Sequence, residues 1–340
     1  MKMPRIRLLF AAIAVSIIGC GDTRSDPSGK DAAAVSRDRS SRDPAPPGKV
    51  RPPAVAGAFY DRNAGTLEAK VLKHLAEAKK PEVKGRLTAA VVPHAGYVFS
   101  GRCAAAVYRL IKKDAYRRVI ILGPTHSYPF RGIAVPAADV AAHRTPLGDI
   151  PIDQELCGKL RKKDGFSSIP GSDSREHSIE VQYPFLQKTA VSFKLVPLLC
   201  GVMSEKDLDT FAAEIASHLD EKTLLLASSD FTHYGRRFQY VPFTEDIRTN
   251  LYATLKKATG LIAELDVKGF DGYLDETGDT ICGRTPIRIL MRTVKALRPA
   301  PKGIVLDYYS SGDVVGNFRD CVSYGSIGFL GGKSSVTSDQ

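Results

Sequence analysis

The alternation of apolar runs and helically spaced apolar residues reads as strand, helix, strand through most of the chain. Residues 87–92 form a nearly unbroken apolar run that ends in Pro93, His94, Ala95 and Gly96. Ala104, Val107, Tyr108 and Ile111 then recur at spacings that share one helix face. A second run, residues 119–122, ends in Gly123, Pro124, Thr125 and His126. Two strands joined by a crossover helix are expected to pair in parallel, with right-handed connection. Both then end on one edge of the sheet, each with a histidine just past its last apolar residue. Ligands of open α/β sheets bind outside the carboxyl ends of the strands. Two imidazoles from neighbouring strands would supply half of a metal site there.

The same alternation continues. Residues 66–79 suit a helix with Leu67, Val71, Leu75 and Ala78 on one face. A short strand is expected at 132–135, a hairpin-like excursion around His143 and a short helix over 154–163. Ser174 is expected to cap a helix with His177 in its first turn, which places His177 and Glu180 on one face. Strands follow at 193–199 and 223–227, with a helix between them started by the capping signal of Ser204 and Asp207. The strand at 223–227 is followed by Asp230 and His233, in the position that His94 and His126 hold after theirs. A helix over 244–259 is expected to stop at Gly260. Cys282 falls at or just before the N-terminus of a helix carrying Ile287, Leu290, Met291, Val294 and Leu297. Strands at 303–309 and 322–330 close the chain. The pattern predicts a single α/β domain, residues 51–331, with a mostly parallel, mixed central sheet flanked by helices, then a tail at 332–340.

The first fifty residues have another character. Lys2, Arg5 and Arg7 precede an apolar stretch over 8–18, too short to span a bilayer permanently. Ile17, Ile18, Gly19 and Cys20 resemble the lipobox of bacterial lipoproteins. That resemblance implies a signal peptide over 1–19, a lipidated Cys20, and an exported protein anchored in the outer membrane and facing the periplasm. An ordinary signal peptide is the alternative. Residues 20–50 are poor in large apolar side chains and read as a disordered tether. Of the net charge of +11, these fifty residues carry +4 (nine basic, five acidic), leaving a dispersed +7 for the folded part. No run of like charge marks a nucleic-acid surface, and no nucleic acid is expected as a partner. After Cys20 five cysteines remain, an odd number without metal-knuckle spacing, so at least one is unpaired.

Six motifs then bear on identity: residues 55–60 (Val55 to Tyr60), 93–97 (Pro93, His94, Ala95, Gly96, Tyr97), 123–126, 176–180 (Glu176 to Glu180), 229–233 and 281–284. In this order they resemble the MEMO family, whose bacterial and archaeal members are called AmmeMemoRadiSam system protein B. The resemblance spans about residues 51–331. It implies a fold like that of class III extradiol ring-cleaving dioxygenases, and a metal site of His94, His126 and Cys282, with Asp230 and His233 beside it. Those dioxygenases place a carboxylate where Cys282 stands. Thr285 stands where some family members have histidine.

Two imidazoles and a thiolate suit one first-row transition metal (iron, copper or zinc) with a position left open. A helix N-terminus is expected to lower the thiol pKa of Cys282. His233 is the expected general acid/base and Asp230 its partner or a ligand's. Tyr97, His177 and Glu180 are expected to line the pocket. For His177 and Glu180 a helix-terminal hydrogen-bond network is an equal alternative, and Cys282 taken without the resemblance reads as a buried free thiol or half of a disulfide in preference to a ligand. The function implied is a metal-dependent oxidoreductase acting on a small molecule. The alternative is a module that binds copper, iron or a peptide ligand without turnover.

Overall fold

The computed structural model describes residues 47–79 and 81–331. The signal segment 1–19, Cys20, the tether up to residue 46 and the tail 332–340 lie outside the described residues. In chain order the elements are β1 (Lys49–Arg51), α1 (Ala64–Glu77), β2 (Arg86–Val92), α2 (Tyr97–Tyr108), β3 (Arg118–Pro124), β4 (Ile133–Ala134), β5 (Val140–Thr145) and β6 (Gly148–Pro151). Then come α3 (Gln154–Leu160), β7 (Phe166–Ser167), α4 (Tyr183–Thr189), β8 (Lys194–Cys200), α5 (Glu205–Ala216), β9 (Thr223–Ser228) and β10 (His233–Tyr234). The chain closes with α6 (Ile247–Ala263), α7 (Val267–Thr277), α8 (Arg284–Ala296), β11 (Lys302–Ser310), α9 (Ser311–Val315) and β12 (Cys321–Gly331).

The large sheet runs β10-β12-β2-β9-β3-β8-β4-β7, with β11 also paired to β12. Its centre, β2-β9-β3-β8, is parallel, and β12 and β4 flank it antiparallel. Every residue of β9 is buried, as expected for a strand covered on both faces. Successive residues of β12 show the two covering layers. Ser326 meets Cys103 of α2, and a side chain added at Gly325 would run into Thr259 of α6. Helices α1 and α4 pack with α2, and α5, α7 and α8 form the other layer with α6. A mixed α/β domain with a central sheet between helices is what the pattern predicted.

Three expectations are corrected. β2 and β3 do not pair, because β9 enters between them: Leu225 pairs with Ala89 on one side and Ile120 on the other. Sequential strands often neighbour one another, but a later parallel strand can insert at equal burial. No continuous helix starts at Ser174. Residues 174–179 run as turns into a 3-10 turn at Glu180–Gln182, and α4 starts only at Tyr183, with Pro184 in its first turn. Ser174 Oγ donates to the Gly171 carbonyl, a turn contact in place of a cap. Helix α6 also continues through Gly260, where a Cβ would meet nothing and the helix tolerates the glycine. The capping box at Ser204 and Asp207 forms as predicted.

Candidate metal centre

β2, β9 and β3 deliver their C-terminal residues to one edge. The insertion of β9 places Ser228, Ser229 and Asp230 between the two histidine-bearing loops. Pro93 lacks the N–H to extend β2, and the chain turns there. The amides of His94 (2.8 Å) and Ala95 (3.2 Å) donate to Asp230 Oδ1, which fixes that turn. Burial raises the Asp230 carboxyl to about 6, against the pull of those two amides.

His94, His126 and Cys282 converge. One donor atom from each lies within 4.8 Å of the others. Cys282 Sγ is 3.2 Å from His94 Nε2, and the rings of His94 and His126 are 5.2 Å apart and nearly perpendicular. His94 is buried, Cys282 half-buried, and His126 exposed, so the cluster opens to solvent on the His126 side. The helix α8 follows Cys282 after Gly283. A side chain at Gly283 would collide with Ser229, so glycine allows the close approach that brings the sulfur to the β9 edge.

The hydrogen bonds fix which nitrogen of each ring is turned to the cluster. Ser228 Oγ donates to the Ser178 carbonyl (2.5 Å) and accepts from Gln182 Nε2 (2.9 Å). Its remaining lone pair faces His94 Nδ1 at 2.9 Å, so Nδ1 carries the proton and Nε2 presents a lone pair to the sulfur. Burial moves the His94 pKa well below the ordinary value, which keeps the ring neutral. At His126, Nδ1 donates to Glu176 Oε1 at 3.0 Å, which again leaves Nε2 for a ligand. This carboxylate–histidine pairing is the arrangement that orients metal-binding imidazoles. Glu176 also accepts from the amides of His126 (2.6 Å), His177 (2.9 Å) and Ser178 (2.8 Å). Burial would raise its pKa, but these donors hold it down at about 2. His126 goes the other way. Desolvation opposes its charge, yet hydrogen bonds to Cys282 and Glu176 raise it to about 10, so the ring is an imidazolium until a metal displaces the Nε2 proton.

The donor set fits a first-row transition metal: the free lone pair of His94 Nε2, the Nε2 of His126 once it gives up its proton, one sulfur, and supporting partners in place. Burial pushes the Cys282 thiol up, against the expected lowering by the helix end. The N–H of Asp230 at 3.3 Å and the hydrogen bond to His126 favour the thiolate but do not prevail without a cation. Cys103, Cys157, Cys200, Cys282 and Cys321 are all free thiols, so among the described residues no disulfide competes for Cys282.

His233 sits at the start of β10. Its N–H donates to Thr280 Oγ1 (2.9 Å), which ties it to the segment that carries Cys282. Nδ1 faces two carbonyls, Phe231 at 2.9 Å and Thr280 at 3.0 Å, so it must be the protonated nitrogen. Nε2 is then the basic position, and burial lowers the pKa so that the ring is neutral. Asp230 makes its hydrogen bonds to the His94 turn and not to His233.

His177 joins the cluster, stacked on His126 at 4.5 Å and 5.4 Å from His94. Burial, then the charge of His126, lowers its pKa to about 4. Two expected pocket residues lie elsewhere. Tyr97 is buried in the core, donates to the Val181 carbonyl (2.8 Å) and packs on Phe185. Glu180 is fully buried and accepts from Arg51 Nη1 (2.5 Å), the amides of Ala54 and Val55, and Tyr60 Oη (2.6 Å). It anchors the entering segment and does not share a face with His177, because no helix carries them both. Sequence reasoning missed Glu176, Ser228 and Gln182 as orienting residues. Only Glu176 left a trace, as the acidic residue directly before His177.

A family model described as Memo-like protein matches residues 51–328. Protein MEMO1 of Homo sapiens is 33% identical over 282 residues, 79% of this chain and 93% of the human protein. Protein MEMO1 of Xenopus tropicalis is 36% identical over 253 residues, 72% of this chain and 84% of its own. The memo-1 homolog of Caenorhabditis elegans is 32% identical over 283 residues, 80% of each chain. The crystal structure of the uncharacterized protein JW3007 from Escherichia coli K12 overlaps at a TM-score of 0.43 and 13% identity, over 72% of this chain and all of that one. A likeness so slight says nothing of chemistry. These relatives correct the expected destination. They are MEMO1 proteins of animals, not exported bacterial lipoproteins, and the lipid-anchored placement in an outer membrane does not stand. Among the described residues no helix is long and apolar enough to cross a membrane. With most of the folded region matched by the family model and by relatives of this identity, the chain belongs to the Memo-like protein family.

Proposed function

We propose that this protein is a metal-dependent oxidoreductase whose substrate is a small molecule with an ionisable hydroxyl, bound beside His94, His126 and Cys282. The observation that supports catalysis, beyond metal binding, is His233. It is a neutral imidazole with Nδ1 committed to two carbonyls and Nε2 without a protein partner among the described residues. A bound iron, copper or zinc ion would supply Lewis acidity, and iron or copper would add one-electron chemistry. Around it, Ser228 and Glu176 hold His94 and His126 in the ligating tautomers. Asp230 fixes the turn that carries His94. His233 takes the proton of the substrate hydroxyl at Nε2 and returns it later. His177, stacked on His126 and uncharged, walls the open side without adding a cation.

The test is oxygen uptake by metal-loaded protein with a panel of catechols. His233→Ala should reduce turnover by about 10²–10⁴-fold with metal content unchanged. Metal-loaded protein that turns over no member of the panel would refute this function. A non-catalytic metal-binding role is the second reading. It is favoured by the thiol of Cys282, since O2 chemistry of the dioxygenase kind is tied to two histidines and a carboxylate. Tight metal binding without turnover is what it predicts.

A further inference from the structure

Apart from the metal centre, the structure holds a cleft of about 390 Å³ between the small β1-β5-β6 sheet and the β4 side of the large one. Its apolar walls include Val135, Ile169, Pro170, Ile179 and Leu199. None of His94, His126, His177, His233 or Cys282 lines it. The volume falls in the range of small-molecule sites.

One lining group is unsatisfied. His143 is 2% exposed, and its Nε2 has no hydrogen-bond partner among the described residues. Its Nδ1 lies 2.8 Å from Tyr183 Oη, and that hydroxyl has no other acceptor among the described residues. The tyrosine therefore donates to Nδ1, and the proton of His143 sits on Nε2, beside the carboxylate of Asp173, another lining residue. A buried donor left unpaired is costly, which marks a place for a ligand acceptor. Asp173 Oδ2 is 3.8 Å from that nitrogen, too far for a direct hydrogen bond, and a hydroxyl oxygen about 2.8 Å from each would sit to one side of the line joining them.

The charges exclude anions. All five N–H donors of Arg51 are used, by Asp173, Pro52, Glu180 and Glu176. Lys49, at the rim, pairs with Asp139 at 2.7 Å. Among the described lining residues no spare cation awaits a carboxylate or phosphate. A hydroxyl satisfies both polar groups at once, accepting from His143 Nε2 and donating to Asp173. We propose that this cleft is a second binding site, for a small uncharged molecule with a hydroxyl on an apolar ring.

The probe is 2-naphthol, titrated into the full chain by calorimetry, with histidine-¹⁵N NMR to locate it. The expected result is saturable one-to-one binding, with the resonance change confined to His143 among the seven histidines. The methyl ether and 2-naphthoate should bind about tenfold more weakly, as loss of a buried hydrogen bond implies. His143→Phe should weaken 2-naphthol to the same degree. Ile169→Trp, which fills the cleft from a loop and leaves the His143–Tyr183 pair intact, should abolish binding. The proposal is overturned by absence of saturable binding, by resonance changes at His126 or His177 instead, or by equal binding of the ether.

Discussion

Replacing Glu176 by glutamine tests whether the metal ligands are oriented by the bonds described above. The carboxylate accepts four N–H donors, three at Oε1 and one at Oε2. An amide keeps one accepting oxygen. Placed toward the three donors, it turns its NH₂ against the His126 amide, so one charge-assisted bond of about 1.5–3 kcal/mol is lost. The negative charge that favours the Nδ1–H tautomer of His126 is lost with it. Changes to such partners of metal ligands cost about 10–100-fold in affinity. The assay is competition for Co(II) or Zn(II) against a chromophoric chelator, with circular dichroism to verify the fold. An E176Q protein that folds and binds either metal as tightly as the parent would refute the reasoning. The same group makes a pH prediction. Its pKa is about 2 in the fold against an ordinary 4.5. The folded state thus binds fewer protons between these values. Glu176 contributes about 3 kcal/mol of stability above pH 4.5, lost as pH falls toward 2. Denaturation midpoints of the parent should drop over that window and those of E176Q should drop less.

Other outcomes follow from neighbouring contacts. Ser228→Ala frees the Nδ1 side of His94 and leaves Gln182 Nε2 with one partner fewer, so metal affinity should fall by about tenfold while the spectrum of bound Co(II) keeps its sulfur band. Glu180→Gln removes the buried charge opposite Arg51 and should destabilise by about 3–5 kcal/mol in urea unfolding, without changing metal affinity in the protein that remains folded. Gly283→Ala sets a methyl group against Ser229 and should displace Cys282, lowering metal affinity with little change in the binding of 2-naphthol.

The strands at the site's edge were legible because buried parallel strands are continuous apolar runs, and because the histidines follow them immediately. Asp230 and His233 were legible for the same reason. What no local pattern contained was the pairing order. The position of β9 between β2 and β3 depends on a crossover from β8 that is settled by packing. It matters here, since it is what makes Ser228 a partner of His94. The segment 174–182 misled because His177 and Glu180 have helical spacing, while Pro184 and the demands of Glu180 for Arg51 and Tyr60 draw the backbone into turns. Tyr97 follows His94 by three residues, yet α2 begins at Tyr97 and directs its ring inward. The thiol pKa of Cys282 was misjudged for an energetic reason: half-burial beside Asp230 outweighs a helix end.

The central claim is that one nitrogen from each of His94 and His126 and the sulfur of Cys282 share a single cation. X-ray absorption of the protein loaded with one equivalent of Zn(II) measures this directly. The account predicts one sulfur at about 2.3 Å with two imidazole nitrogens at about 2.0 Å, and loss of the sulfur shell in Cys282→Ser. A metal shell without sulfur in the parent protein, or a sulfur shell that survives Cys282→Ser, would contradict it.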